Sequence, residues 1–81
     1  MLIEHLFPNP CSTGVLSIKL KENVNNAAFH IVDNIGTLLK SGILLNSNNL
    51  IDVSDLANGI YFFKINSGFL SEIITLQIAM N

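Results

Sequence analysis

Tryptophan and arginine are absent from this chain, cysteine occurs once, and charged side chains make up only 12 % of it. Each scarcity excludes something. Four lysines against six acids leave a net charge of −2, so there is no basic stripe to neutralise phosphates and nucleic acid is not an expected partner. A lone Cys11 permits no intramolecular disulfide. With only two histidines beside it, no Cys/His cluster exists for a structural zinc. Uninterrupted apolar runs are only a few residues long, so no transmembrane helix is expected. At the N-terminus, Met1-Leu2-Ile3 meets Glu4 and His5 at once, without the basic and apolar blocks of a signal peptide. If this chain acts outside a cell, it is expected to do so as the tail of something longer.

What is abundant is apolar material, 49 % over 81 residues. That length accommodates one domain, residues 1–81. A chain this size buries only about 60 % of the surface its unfolded form exposes, and the apolar-rich composition compensates for the missing staples.

The apolar residues recur with a period of two, the spacing of strands with one wet face. Ile3–Leu6 reads as an edge strand that ends at Pro8-Asn9-Pro10, where two prolines cannot continue a ladder. Val15–Leu20 alternates cleanly, with Leu16, Ile18 and Leu20 on one face. In Ala28–Val32, Phe29 and Ile31 point inward and His30 outward. Asp33-Asn34-Ile35-Gly36 is a turn, Asp bonding its own backbone and Gly free to take positive φ. Thr37–Leu45 does not alternate, and Ser41-Gly42 within it predicts a bulge or bend. After the Asn46–Asn49 loop, Leu50–Val53 is a short strand with Ile51 and Val53 inward. Ser54 is then expected to cap a single helical turn over Asp55-Leu56-Ala57.

Leu56-Ala57-Asn58-Gly59-Ile60-Tyr61 has the spacing of a tyrosine corner, in which a Tyr entering a late strand bonds its hydroxyl to upstream backbone. Tyr61, Phe63 and Ile65 share one face of the strand that follows. Asn66-Ser67-Gly68 is a hairpin signal. In the last strand Ile74, Leu76 and Ile78 alternate with Ser71, Ile73, Thr75 and Gln77, and Ala79-Met80-Asn81 is expected to fray. Seven short strands, with no segment of helical period, predict an all-β fold, a seven-stranded antiparallel β-sandwich of immunoglobulin-like character. The strand order stays open.

Groups able to do chemistry are few and poorly placed. A Cys/His dyad needs a thiol beside an oriented imidazole. Only Cys11 with His5 or His30 could supply one, and Cys11 reads better as a small filler in its loop. Asp52, Asp55 and nearby carbonyls offer hard oxygen for calcium, but their spacing matches no EF-hand loop. No sequon, phosphate-cradling loop or metalloprotease motif occurs. The expectation is a non-catalytic module with no catalytic, cofactor-binding or metal-binding residue.

Four landmarks in order carry a resemblance: Leu6-Phe7-Pro8-Asn9-Pro10, Asp33-Asn34-Ile35-Gly36, Ile51-Asp52-Val53-Ser54-Asp55-Leu56, and Leu56-Ala57-Asn58-Gly59-Ile60-Tyr61-Phe62. Across nearly its whole length the chain resembles the C-terminal sorting domain of the type IX (Por) secretion system, type A. That family has an aromatic before Pro-Asn-Pro, a turn at Asp-x-x-Gly and Leu-x-x-Gly-x-Tyr before the penultimate strand. The matching residues are Phe7, Pro8, Asn9, Pro10, Asp33, Gly36, Leu56, Gly59 and Tyr61.

The resemblance implies an address at the end of large proteins exported by Bacteroidota-type bacteria. The upstream cargo passes through the periplasm and is led to an outer-membrane translocon. A sortase-like cysteine peptidase commonly removes the tail, leaving the cargo secreted or on the outer-membrane surface. Members usually carry Lys or Arg in the last strand; Ser71–Ile78 has neither. Recognition through the apolar residues Ile73, Ile74, Leu76 and Ile78, by addition of the strand to a receptor sheet, needs no such charge. The competing readings are an immunoglobulin-like adhesion or carbohydrate-binding module and a small hydrolase using Cys11 and His30. The lack of Trp and the inward placement of most Tyr and Phe residues weigh against a sugar platform.

Overall fold

A computed structural model describes residues 2–22, 24 and 26–80. Seven strands follow in order: β1 Ile3–Phe7, β2 Val15–Leu20, β3 Ala27–Asp33, β4 Leu38–Leu44, β5 Asn48–Asp52, β6 Gly59–Ser67 and β7 Leu70–Ile78. They form two antiparallel sheets, one ordered β1-β2-β5 and the other β4-β3-β6-β7. The expected all-β sandwich is therefore the fold, and no helix occurs among the described residues.

Period-two patterning decides which side chains meet between the sheets. Leu16, Ile18 and Leu20 of β2 face Phe29 and Ile31 of β3, Tyr61, Phe63 and Ile65 of β6, and Leu76 and Ile78 of β7 in one buried cluster. Phe29 and Phe63, neighbours across β3 and β6, stack with centroids 5.6 Å apart and planes 7° from parallel. That places two large rings in an offset arrangement that adds to simple burial. Cys11 is wholly buried in the same cluster, and its Sγ lies 3.5 Å from the Val15 carbonyl. It is the filler its sequence context predicts.

Several local expectations are corrected. β4 runs straight through Ser41-Gly42. The irregularity falls at Leu39 instead, because Ile31 pairs with Lys40 but Val32 pairs with Leu38. Gly42 lies opposite Phe29, and a Cβ there would sit 2.8 Å from the Phe29 ring. The glycine makes room for an aromatic; it does not bend the strand.

Ser54 caps no helix. The roles are reversed: Asp52 Oδ1 accepts from the Ser54 amide at 2.9 Å and from its hydroxyl at 2.6 Å. Leu56 N–H then closes a turn on the Val53 carbonyl. Short oxygen-bearing side chains compete with helix formation in this way.

The last hairpin is tighter than Asn66-Ser67-Gly68 suggests. Ser67 pairs with Leu70, so the loop is Gly68-Phe69, with Gly68 at φ 59° as a type II′ turn requires. β5 begins at Asn48, inside the presumed loop. The C-terminal segment is not frayed at Ala79 and Met80: Ala79 N–H donates to the Cys11 carbonyl at 2.9 Å, and Met80 is held by Asn58. Asn81 lies outside the described residues.

Candidate functional site

Because every strand is antiparallel to its neighbours, successive connections alternate between the two ends of the sandwich. The four sequence landmarks, scattered from residue 6 to residue 62, all fall at one end. Asp33, at the close of β3, pairs with Tyr61 near the start of β6, and Tyr61 pairs with Leu76 of β7. Gly59 pairs with Ile78, and Val53 N–H donates to the Gly14 carbonyl.

Each landmark at this end is held by a specific bond. Tyr61 donates its hydroxyl to the Ala57 carbonyl at 2.5 Å while its ring stays buried, the tyrosine corner expected from the sequence. Asp33 Oδ1 accepts from the amides of Ile35 and Thr37 at 3.0 and 2.8 Å, and Gly36 takes φ 89°. A side chain with a Cβ rarely adopts that conformation. Leu56 is buried beneath the corner and Gly59 has φ 156°. Asn58, unlike Gly59, has no positive φ. Its amide donates to the Met80 carbonyl at 2.7 Å and accepts from the Met80 amide at 2.8 Å.

The Pro8-Asn9-Pro10 landmark behaves similarly. Both X–Pro bonds are cis, and the loop lies along the outer edge of β7. Asn9 Nδ2 donates to the Thr75 carbonyl at 2.9 Å and Asn9 Oδ1 accepts from the Gln77 amide at 3.0 Å. Cys11 N–H continues the pattern on the Gln77 carbonyl at 2.7 Å. The primary amide of Asn carries a donor and an acceptor spaced like a backbone peptide, so Asn9 and Asn58 both stand in for a neighbouring strand. Sequence reasoning missed both roles, since nothing local marks an Asn whose partners lie tens of residues away.

It also missed Glu72. On β7, facing the opposing sheet, its Oε1 accepts from the amides of Leu2 and Ile3 at 2.9 and 3.1 Å. The last strand thus clips the start of the first.

Of the residues nominated for recognition in the last strand, Leu76 and Ile78 are buried and Ile74 is half-buried against the core. Ile73 alone is exposed, on the outer face of the four-stranded sheet. Beside it His30, Lys64 and Ile73 line a shallow groove. Phe7 is exposed and Phe69, at the hairpin tip, fully so. With Phe62 half-buried, only Tyr61, Phe29 and Phe63 are truly inward, fewer than the sequence suggests. Phe7 and Phe69 lie at opposite ends of the sandwich and make no common platform.

The chemical alternatives do not assemble. Cys11 is sealed in the core, whereas His30 is on an outer sheet face and His5 is exposed beside Glu4. Asp52 is engaged by Ser54, whose hydroxyl and amide hydrogen bonds hold its carboxyl below the usual range. Asp55 pairs instead with Lys40 at 2.9 Å. Among the described residues no three His, Cys, Asp or Glu side chains are placed to share a metal ion.

The model of a known family, the secretion system C-terminal sorting domain, matches residues 5–79, a span that contains all four landmarks and all seven strands save the first two residues of β1. No curated protein matches the chain. With the family's motifs gathered and bonded at one end of the expected sandwich, the chain belongs to the type IX secretion C-terminal sorting domain family.

Proposed function

We propose that residues 1–81 act as one unit, a non-catalytic address that directs an upstream cargo protein through the type IX outer-membrane translocon. The cargo would cross the periplasm and finish secreted or on the cell surface, with a sortase-like peptidase as the enzyme that removes the tail. The observation that carries this reading is the family match over residues 5–79. The motif residues Phe7, Pro8, Asn9, Pro10, Asp33, Gly36, Leu56, Gly59 and Tyr61 serve it by building one end of the sandwich. The last strand, with Ile73, Ile74, Leu76 and Ile78, is the segment the machinery reads, by strand addition.

Because Ile74, Leu76 and Ile78 face the core, reading their side chains requires β7 to leave the sheet, whereas Ile73 is available in the folded state. The test is export of a reporter carrying a Sec signal and residues 1–81, expressed in a bacterium with a working type IX system. The fusion should reach the surface or medium, and deletion of residues 73–81 should leave it in the periplasm. Export undiminished by that deletion would count against the last strand, and no export of the intact fusion against the address itself.

A further inference from the structure

β7 is held from two sides. Along one edge it pairs with β6 over its full length. On the other side it meets the start of the chain, although β1 and β7 lie in different sheets and share no ladder. Six hydrogen bonds join residues 2–11 to the stretch from Glu72 to Ala79. Glu72 accepts two, from the Leu2 and Ile3 amides; Asn9 makes two, with Thr75 and Gln77; Cys11 makes two, with Gln77 and Ala79. Leu2, Ile3 and Cys11 are buried in the same cluster as Leu76 and Ile78.

This closes the start of the domain to a peptidase. An extended peptide is gripped through main-chain hydrogen bonds, so the backbone around a scissile bond must be free. At Leu2 neither backbone group is free: the amide is on Glu72 and the carbonyl takes the Lys21 amide at 3.0 Å. Its side chain is buried and the Ile3 amide is also on Glu72. Such a segment is cut only through local opening, at a rate set by the population of the open form. Glu72 is the only charged residue of β7. One oxygen of it serves both amides, and hydrogen bonds to an ionised acceptor are stronger than neutral ones. Because Glu72 is part of β7, paired with Ile65 of β6, it leaves Leu2 and Ile3 whenever β7 leaves the sheet.

We propose that Glu72 makes β7 a latch on the junction with the upstream polypeptide: Leu2 and Ile3 are withheld from a peptidase while β7 lies in its sheet, and withdrawal of β7 frees them. This rests on the reading above, in which β7 leaves the sheet and a peptidase removes the tail, and it names the contact that ties the two events together.

Thermolysin, which cuts ahead of large apolar residues, is the probe. The substrate is a purified fusion of a reporter, a polar linker and residues 1–81, with cutting of the Leu2–Ile3 bond followed by mass spectrometry. In Glu72→Ala that bond should be cut at least about tenfold faster than in wild type, as expected on losing hydrogen bonds to a charged group. Glu72→Gln, which keeps a neutral acceptor, should fall between the two. Asn58→Ala also loses two side chain-to-backbone bonds, but none to residues 2–11, and should match wild type at Leu2–Ile3. Wild-type cutting in Glu72→Ala, or acceleration in Asn58→Ala equal to that in Glu72→Ala, would overturn the proposal. Should Glu72→Ala not fold, Glu72→Gln takes its place, with cutting at the wild-type rate the refuting result.

Coupling of this kind is reciprocal, so the start of the chain must hold β7 as firmly as β7 holds it. Deleting residues 1–3 should speed exchange of the Leu76 amide at least about tenfold, and adding Glu72→Ala to the deletion should change nothing further. Unchanged exchange after the deletion, or additive effects, would refute the latch. Both assays run without an export system: their failure refutes the latch alone, whereas failed export of the intact reporter fusion refutes the address.

Discussion

Replacing Gly42 by Ala should destabilise the sandwich, although an alanine suits a strand better than a glycine does. Gly42 has no positive φ, so the backbone tolerates alanine, and on unfolded-state entropy alone the change should gain about 0.4–1 kcal/mol. Against this, the new methyl would lie 2.8 Å from Phe29 Cε1 and 3.3 Å from its Cζ. Carbon atoms prefer about 3.5–4.0 Å, so the ring must retreat by roughly 0.7 Å or more. It cannot do so freely, because it is stacked on the fully buried Phe63. Overpacking of this kind costs about 1–3 kcal/mol. On these figures the clash outweighs the gain by about 1.3 kcal/mol at the midpoints and by up to about 2.6 kcal/mol. For a domain this small, each kcal/mol lowers the melting midpoint by roughly 4–8 °C. Urea titration should show a lower midpoint with an unchanged slope. In a Phe29→Leu background the ring is gone, and Gly42→Ala should become neutral or stabilising, a coupling of about 1 kcal/mol or more. An alanine variant as stable as wild type, or an equal loss in both backgrounds, would refute the reasoning.

Three other perturbations have defined outcomes. Tyr61→Phe keeps the buried ring and removes the bond to the Ala57 carbonyl; urea denaturation should show a loss of about 0.5–1.5 kcal/mol, and at the low end, since Ala57 is exposed to water. Glu72→Gln weakens the acceptor for two amides of β1. It should cost less than Glu72→Ala, for which about 1.5–3 kcal/mol is expected of bonds to a charged group, and in both variants the Leu2 and Ile3 amides should exchange faster. Asp52 has a folded-state carboxyl held below its ordinary value by Ser54. Its contribution is therefore complete above the unfolded value near ~3.9 and is lost as pH falls through the lower folded value. Thermal melts from pH 5 downward should show less acid sensitivity in Asp52→Asn than in wild type.

Where a residue's role depends on its neighbours in sequence, the amino-acid order reveals it. The alternating faces of β2, β3 and β7, the Asp33–Gly36 turn and the Tyr61 corner all rest on contacts spanning a few residues, and all are found as read. Gly42 shows the opposite case. A glycine in a non-alternating run signals a bend, but its purpose is set by Phe29, on the neighbouring strand, and the irregularity belongs to Leu39. Ser54 and Asp52 compete for one stretch of backbone, and sequence alone favours the wrong partner because either could bond there. Asn9, Asn58 and Glu72 are further out of reach. Their partners stand 22 to 70 residues away, and only the assembled sheets bring them together.

The Glu72 clip has a consequence for how the molecule can be handled. It fixes Leu2 beside the β6–β7 hairpin, whereas Met80 is pinned by Asn58 at the landmark end. Glu72 to Met80 covers roughly 27 Å at ~3.4 Å per residue, most of the 36 Å long axis. A polypeptide joined ahead of Leu2 would depart from one pole while the closing residues stay at the other. One protein could grasp the tail as a second severed the junction, and neither would have to let go for the other to act.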